Sequence, residues 1–179
     1  MLVQKLLSEA AKNGDEYFVL ETTSHALDQN RNFGIYYQIA AITNITPEHL
    51  DYHKTFANYV RTKSKLLKQS HLGILNRDDT SFELLTKEIK SSKNKVILKS
   101  YGLKGGADFQ LDLKKSLKLQ IPQYNNYNYL AAYSVCTELG IVKPTILKAV
   151  KSFKLPTGRY EIVHDEKFMV VVDFAHTPN

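Results

Sequence analysis

One segment, residues 21–65, concentrates side chains that could bind a metal ion and phosphate groups. Its acids, imidazoles and amines are Glu21, His25, Glu48, His49, Asp51, His53, Lys63 and Lys65. Carboxylate oxygens are ligands that Mg²⁺ prefers, usually together with phosphates and water. The segment therefore indicates a metal and phosphate site, while the rest of the chain is typical of an α/β scaffold.

Each of these residues also has an ordinary structural interpretation. Glu21 follows the apolar run of residues 17–20, so it could bind Mg²⁺ at a strand end or be a solvated acid beside a helix cap. Spacing alone favours the solvated acid. Lys63 and Lys65 are by default exposed helix lysines, although one of them could face phosphates. His49 and His53 are four residues apart, as in a zinc-binding pair, but HLDYH lacks the glutamate of HExxH and no third ligand is evident.

The 179 residues contain no GxxxxGK(S/T) loop. That loop supplies the backbone cradle and the lysine with which many nucleotide-binding enzymes hold ATP phosphates. Composition and spacing by themselves therefore indicate an α/β domain with an anion and metal site, and nothing more specific.

Hydrophobic periodicity predicts alternating helices and strands along most of the chain. We predict helices over residues 1–13, 55–69, 80–91, 127–139 and 143–153, and strands over residues 17–20, 37–43, 71–76, 95–99, 160–163 and 168–173. Residues 101–122 alternate with period two around Gly105 and Gly106, which predicts an antiparallel hairpin. The pattern indicates an α/β fold in three layers, a mostly parallel sheet flanked by helices, with a small antiparallel β element.

Three polar clusters follow strand-like runs, at residues 21–25, 44–53 and 173–179. Ligands of open α/β sheets bind beyond the carboxyl ends of the parallel strands. We therefore expect the three clusters to form one site.

Composition excludes several other classes of protein. The net charge is +6, but the lysines are dispersed and no arginine-rich block indicates a nucleic-acid partner. The single cysteine, Cys136, lies in an apolar helical run and is expected to be a small core residue, not a nucleophile. No apolar run could cross a membrane and no signal peptide is evident, so we expect a cytoplasmic protein.

Five motifs, in order, resemble the Mur ligase family. ETTSHALDQNR resembles its E-x-S-S-H-x-L-x-Q-x-R element, and TNITPEHLDYHKTFANYVRTKSKLL its TN-L-T-x-D-H-L-D-Y-H-G-T-x-x-x-Y-x-x-A-K element. IPQYNNYNYLAA is similar to G-x-F-N-x-x-N-x-x-AA, LPTGRYEIV to P-x-x-G-R-x-E, and VVVDFAHTPN to V-D-Y-A-H-T-P. The residues of HLDYH and DFAHTP are most similar to those of the MurE branch, the UDP-N-acetylmuramoyl-tripeptide synthetases of peptidoglycan assembly.

The resemblance implies a P-loop-like central domain and a specific reaction. ATP phosphorylates the carboxylate of a UDP-MurNAc-dipeptide, and the amine of the incoming amino acid, diaminopimelate or lysine, then displaces phosphate from the acyl phosphate. Mg²⁺ offsets the phosphoryl charge. By the motif match Glu21 and His49 fall on metal-ligand positions, and Lys63 falls on the lysine that the family carbamoylates. Carbamoylation requires a neutral amine, so we expect a lowered pKa for Lys63.

The resemblance also assigns residues to the two substrates. Thr23, Ser24, Gln29 and Arg31 match positions that hold the UDP-muramoyl peptide. Asn125, Asn128, Arg159, Asp173 and His176 match positions on the ATP side. Capping by the asparagines and a surface ion pair of Arg159 are the structural alternatives.

The sequence departs from the family pattern in ways that affect the expected activity. Pro122 and Lys54 stand where the family has glycine, and Thr22-Thr23 replaces x-Ser. We expect residues 1–179 to be a partial central (ATPase) domain without the P-loop, the N-terminal UDP-binding domain and the C-terminal amino-acid-binding domain. Alone they are expected to be unable to ligate or to hydrolyse ATP, and the full-length enzyme is expected to be a monomer.

Three alternatives stay open at this point. The first is another ligase of the same superfamily, of the folylpolyglutamate or cyanophycin synthetase type. The second is a non-catalytic nucleotide-binding module. The third is a metal-dependent hydrolase that uses His49 and His53.

Overall fold

The fold is described from a computed structural model, which covers residues 2–174. His176, one of the predicted ATP-side residues, lies outside the described residues, as does the end of the DFAHTP motif. The chain divides into two compact units, Met1–Asp108 and Phe109–Asn179, and each is described by itself.

The first unit is a parallel α/β unit. In chain order its elements are α1 (Leu2–Asn13), α2 (Ser24–Asp28), β1 (Tyr37–Ile42), α3 (Leu50–His53), α4 (Phe56–Lys68), β2 (Ser70–Asn76), α5 (Phe82–Lys90) and β3 (Ile97–Tyr101). The strands form one sheet in the order β1-β2-β3, and both pairings are parallel. The predicted α/β class, with a parallel sheet flanked by helices, is confirmed.

The central strand β2 is buried on both faces, as expected for a parallel strand covered by helices. Leu72 and Ile74 point to one face and Leu75 to the other, and all three are buried. Leu75 belongs to the core cluster formed with α4 and α5. A Cβ added at Gly73 would lie 2.8 Å from Leu98 Cδ2, so glycine permits this close packing.

Helix α4 begins and ends where its sequence indicates. The Thr55 side chain caps the helix by accepting a hydrogen bond from the Asn58 amide at 3.2 Å. Tyr59, Val60 and Leu67 form its buried stripe, and basic residues in the last turn complement the helix dipole. The helix predicted over residues 55–69 is therefore confirmed to within one residue at each end.

The strand predicted over residues 17–20 is wrong. This segment forms no strand within the described part of the chain, and Val19 is 96% exposed. A short apolar run forms a buried strand only where a neighbouring strand pairs with it. Hydrophobic periodicity does not indicate whether such a neighbouring strand is present. Glu21 therefore does not follow a strand.

Up to residue 174, the second unit contains three helices and a hairpin. Its elements are α6 (Leu113–Leu117), α7 (Gln123–Glu138), α8 (Lys143–Ser152), β4 (Glu161–Asp165) and β5 (Met169–Val172). The two strands pair in antiparallel fashion, which confirms the small antiparallel element and the strand pair predicted near the end of the chain. No helix among the described residues is both long and apolar enough to cross a bilayer.

The hairpin predicted over residues 101–122 is wrong. β3 ends at Tyr101, and the segment contains helix α6 in place of two strands. Asp112 starts that helix by accepting a hydrogen bond from the Lys115 amide at 2.9 Å. Leu113 and Leu117 are among the apolar residues that suggested period-two alternation. They are four residues apart, a spacing that also fits a helix that begins after the Asp112 cap.

Candidate functional site

Five aromatic rings from α2, the α3 turn and α4 pack together in the first unit. We call His25, His49, Tyr52, His53 and Tyr59 the ring cluster. The His25 ring centroid lies 5.0 Å from that of His49 and 4.4 Å from that of Tyr52. His53 stacks on Tyr59 at 5.0 Å with 22° between the planes. His25, His49 and His53, which come from two of the three predicted polar clusters, are therefore brought together by three helices.

His53 is a structural member of the ring cluster. Its side chain is buried, and its Nε2 lies 3.0 Å from Oγ of Ser24. Burial lowers the pKa of His53, and the nearby His25 lowers it further. Nε2 of His53 is thus engaged with Ser24, which does not support a zinc pair with His49. Within residues 2–174 no group of three or more His, Cys, Asp or Glu side chains is arranged to hold a metal ion.

His49 is exposed and occupies a strained backbone position. It is the N-cap of α3, with φ 54° and ψ 30°, in the left-handed region. A non-glycine residue pays roughly 1–2 kcal/mol for this conformation. Such strain recurs at functional sites, where the surrounding structure enforces it. The His49 ring makes edge contacts with the rings of His25 and Tyr59.

Lys54, directly after HLDYH, adopts a conformation that favours glycine. Its φ is 68° and its ψ is −42°. The side chain offsets part of this cost, because Nζ donates a hydrogen bond of 2.8 Å to the Asp51 carbonyl oxygen. The replacement of the family's glycine thus leaves the turn intact but strained. Pro122, the other departure, is the N-cap of α7 at φ −65°, a value that proline favours.

The two lysines of α4 have different surroundings. Lys65 Nζ forms an ion pair of 3.0 Å with Oδ1 of Asp28. Lys63 Nζ instead lies 5.8 Å from the centroid of the Tyr59 ring. Burial lowers the pKa of Lys63, while the charges of Glu48 and Glu21 act in the opposite direction. Lys63 therefore has the lowered pKa that was expected of it, with two carboxylates close enough to act on its charge.

Two carboxylates, Glu21 and Glu48, act on the charge of Lys63. Glu21 and His49 are exposed, so their ligand atoms are accessible to an ion. Glu48 is held by a hydrogen bond of 2.8 Å that Thr46 Oγ1 donates to Oε1. Carboxylate oxygens are the ligands that Mg²⁺ prefers. That Glu21, His49 and a carbamoylated Lys63 hold the ion stays a prediction.

The four residues predicted for the UDP-muramoyl peptide fall into two pairs. Thr23 is the N-cap of α2 and accepts a hydrogen bond from the Ala26 amide at 3.1 Å. Ser24 is buried against His53. Gln29 and Arg31 have exposed side chains just after the helix. The hydroxyls of the first pair thus have structural partners, and substrate contact by all four residues stays a prediction.

The predicted ATP-side residues that are described belong to the second unit. Asn128 Nδ2 donates a hydrogen bond of 3.1 Å to Oδ1 of the buried Asn125. The Arg159 guanidinium lies 4.9 Å from the centroid of the Phe174 ring. Asp173 Oδ2 accepts hydrogen bonds from Tyr124 Oη at 2.6 Å and from the Tyr160 amide at 3.0 Å.

Sequence reasoning missed three residues that organise these sites. Asn126 is fully buried, accepts a hydrogen bond from the Lys114 amide at 3.1 Å and donates one of 2.9 Å to Asp112. Tyr124 ties α7 to Asp173. Asp28 joins α2 to Lys65 and Tyr52. The motifs leave the positions of Asp28 and Asn126 open, and they have phenylalanine where this chain has Tyr124. The only signal in the sequence was therefore that a polar group stands within a motif.

An apolar cavity of about 290 Å³ lies between α7 and α8. Cys136 is one of its lining residues, together with Tyr129, Ile146 and Phe153. Burial raises the pKa of the Cys136 thiol. Cys136 lies on the predicted helix, but it is half-buried at the cavity and is not one of the core residues that the sequence predicted.

Comparison with known proteins identifies the family. The sequence model of the Mur ligase middle domain matches residues 1–136. The chain belongs to the Mur ligase family. The motif resemblance is thereby confirmed over most of the chain, including the whole of the first unit and much of α7.

Similar Mur ligases carry one activity in their names. The chain is 36% identical to UDP-N-acetylmuramoyl-L-alanyl-D-glutamate–2,6-diaminopimelate ligase 1 of Clostridium acetobutylicum, over 99% of this chain and 40% of that protein. It is 34% identical to the corresponding ligase of Aquifex aeolicus, over 98% of this chain and 39% of that protein. The predicted likeness to the MurE branch is confirmed. The chain spans about 40% of the length of the curated relatives that it matches.

Solved structures agree with this family assignment. A UDP-N-acetylmuramoyl-L-alanyl-D-glutamate–2,6-diaminopimelate ligase superposes with a TM-score of 0.80 at 26% identity, over 99% of this chain and 40% of that one. MurF from Acinetobacter baumannii superposes with a TM-score of 0.60 at 18% identity, over 76% of this chain and 33% of that one. The second likeness shows the fold alone.

Proposed function

We propose that residues 1–179 are part of the central domain of an ATP-dependent ligase of peptidoglycan biosynthesis. The whole protein would add diaminopimelate to UDP-MurNAc-L-Ala-D-Glu through an acyl-phosphate intermediate. The names of the similar ligases support this substrate pair. Since ATP and UDP-linked precursors are cytoplasmic metabolites, the reaction would take place in the cytoplasm.

The observation that carries the proposal is the environment of Lys63. Burial lowers the pKa of this amine, and a neutral amine is the form that reacts with CO₂. The carbamate that results is an anion with two oxygen ligands. Together with Glu21 and His49 it would hold Mg²⁺, which supplies charge neutralisation for phosphoryl transfer.

The other side chains would bind and orient the two substrates. Arg31 is exposed and offers a planar pair of donors for a carboxylate or phosphate. Gln29, also exposed, offers an amide to the polar groups of the peptide. In the second unit Asn125, Asn128, Arg159 and Asp173 would contact ATP, and we propose the same for His176.

The phosphates of ATP would need a cradle that these 179 residues do not encode. No GxxxxGK(S/T) sequence is present. We therefore propose that this chain alone does not turn over ATP, and that its metal and substrate residues act together with a P-loop and with the UDP-binding and amino-acid-binding domains. Mg²⁺-dependent release of phosphate by the isolated chain would contradict this.

Carbamoylation of Lys63 is the most direct test of the site. The chain is equilibrated with ¹³C-bicarbonate, and the carbamate carbon is detected by NMR. We expect one carbamate resonance in the unaltered chain and its loss in Lys63→Met. Lys68→Met is the matched control, because Lys68 lies on the same helix and forms an ordinary ion pair with Glu88 at 3.3 Å.

Ligand binding tests the substrate assignment separately. Calorimetry with UDP-MurNAc-L-Ala-D-Glu should show binding that weakens in Arg31→Ala. Zinc binding without binding of either nucleotide would instead favour a metal-dependent hydrolase. Tight ATP binding by this chain alone would favour a nucleotide-binding module.

A further inference from the structure

One carboxylate joins the three elements that surround the ring cluster. Asp28, the last residue of α2, accepts a hydrogen bond from Tyr52 Oη at 2.9 Å through Oδ2. Its Oδ1 accepts from Lys65 Nζ at 3.0 Å. Tyr52 belongs to α3 and Lys65 to α4, so Asp28 connects α2 to both of the other helices.

These three elements carry or flank the proposed ligands. Glu21 precedes α2, His49 caps α3 and Lys63 lies on α4. The relative position of α2 and α4 therefore sets how closely Glu21 approaches Lys63.

Helix α2 depends on tertiary contacts for its position. It has five residues, far fewer than a helix needs to be stable alone in water. Leu27 anchors it in the interior, where this side chain is 1% exposed. Asp28 follows directly and provides its polar anchor, with donors from two directions that fix the end of the helix.

The two donors also keep the Asp28 carboxylate ionised. The hydrogen bond from Lys65 is the main cause of the lowered pKa of Asp28, and the hydrogen bond from Tyr52 adds to it. An ionised acceptor makes shorter and stronger hydrogen bonds than a neutral one. The junction is therefore maintained throughout the neutral pH range.

We propose that Asp28 is a positioning residue of the metal site, which holds α2 against α3 and α4 and so sets the approach of Glu21 to Lys63. The metal site itself rests on the function proposed above. Asp28 occupies a position that the first motif leaves open, and Lys65 lies beyond the lysine with which the family's second pattern ends, so the Asp28–Lys65 pair is a feature of this chain's own sequence.

The experiment compares Asp28→Ala with variants that remove one donor each, Tyr52→Phe and Lys65→Met. Asp15→Ala is the control, because Asp15 is an exposed acid outside these three elements whose carboxylate has no hydrogen bond or ion pair among the described residues. Two quantities are measured on the 179-residue chain: hydrogen exchange of the amides of α2 and α3, and the affinity for Mn²⁺ used in place of Mg²⁺.

We expect about tenfold faster exchange of the α2 and α3 amides in Asp28→Ala, with β2 and β3 unchanged. We expect Mn²⁺ to bind about five- to tenfold more weakly, while the urea midpoint of the unit stays close to that of the unaltered chain. Each single-donor variant should show part of both effects. A purely structural role would lower the urea midpoint and leave the affinity of the still-folded chain unchanged.

The outcomes separate this inference from the proposed function. If Asp28→Ala behaves as Asp15→Ala does in both measurements, Asp28 is not a positioning residue. If the unaltered chain binds no Mn²⁺, the proposed metal site fails. Hydrogen exchange in α2 and α3 then still decides whether Asp28 holds the three elements together.

Discussion

The hydroxyl of Tyr124 donates a hydrogen bond of 2.6 Å to Oδ2 of Asp173. The same oxygen accepts from the Tyr160 amide at 3.0 Å, so one carboxylate oxygen joins the start of α7, the residue after Arg159 and the end of β5. Three of the proposed ATP-side residues, Asn125, Arg159 and Asp173, are thereby linked within the second unit.

Tyr124→Phe removes this hydrogen bond and keeps the ring. We expect the second unit to lose about 0.5–1 kcal/mol, because the acceptor is charged but the tyrosine is half-exposed. Urea unfolding and hydrogen exchange of the Tyr160 amide measure the effect. Tyr133→Phe is the control, since its hydroxyl has no hydrogen bond within the described residues. Equal effects of the two substitutions would show that the bond contributes nothing.

The same hydrogen bond predicts a pH dependence at alkaline pH. Burial, followed by the hydrogen bond with Asp173 and its charge, raises the pKa of Tyr124 to about 12. Because the folded pKa lies above the unfolded value of about 10, the contribution of Tyr124 to stability is complete below pH 10. It is lost as the pH rises towards about 12. Tyrosinate absorbance should show one late-titrating group that is absent from Tyr124→Phe.

Glu48→Gln should lower the pKa of Lys63 further. The charge of Glu48 opposes the effect of burial on this amine, so its removal favours the neutral form. Lys63 is followed by NMR after ¹³C-methylation of the lysines, with Glu83→Gln on α5 as the control. A Lys63 pKa that rises in Glu48→Gln would refute the electrostatic argument.

The sign of the stability effect at Lys63 follows from linkage. The folded pKa of Lys63 is depressed, so the folded chain binds fewer protons than the unfolded chain between that pKa and the ordinary lysine value. Stability from this group is therefore present above the unfolded pKa and is lost as the pH falls through the folded pKa. Lys63→Met should remove this dependence and increase the stability of the first unit at neutral pH.

Lys54→Gly should stabilise the turn that follows His53. The backbone of Lys54, with φ 68° and ψ −42°, costs a side chain about 1–3 kcal/mol, and glycine adopts it without strain. After the entropy cost of glycine and the loss of the hydrogen bond to Asp51, we expect a net gain of about 1 kcal/mol in the free energy of unfolding. Lys54→Ala keeps the Cβ and removes the amine, so it should show no gain. A gain in Lys54→Ala would mean that backbone strain is not the cause.

Asn126→Ala should destabilise the second unit more than the substitution of the nearby Asn128. Asn126 is fully buried, and its loss would leave the Lys114 amide and an oxygen of Asp112 without these bonds. We expect a loss of about 2 kcal/mol and faster exchange in α6. Asn128→Ala, at an exposed position of the same helix, should cost about 0.5 kcal/mol or less. The prediction fails if the two variants unfold at the same urea concentration.

The sequence by itself determined the family and most of the elements of the fold. The five motifs are read from residue order alone, and the family match over residues 1–136 covers the first three of them. The parallel strands β1, β2 and β3 and the helices α4, α5, α7 and α8 follow from hydrophobic periodicity and helix caps, which are local properties of the chain. The role of Lys63 as the carbamoylated lysine was predicted from its place in the second motif.

Only the tertiary structure decided what each of these residues contacts. Residues 17–20 have the composition of a strand but pair with no strand, because pairing depends on a neighbour that composition does not specify. Lys63 and Lys65 are two residues apart and alike in sequence, yet Asp28 neutralises one while burial lowers the pKa of the other. Desolvation and ion pairing arise from segments distant in sequence, which is why spacing alone could not choose between them.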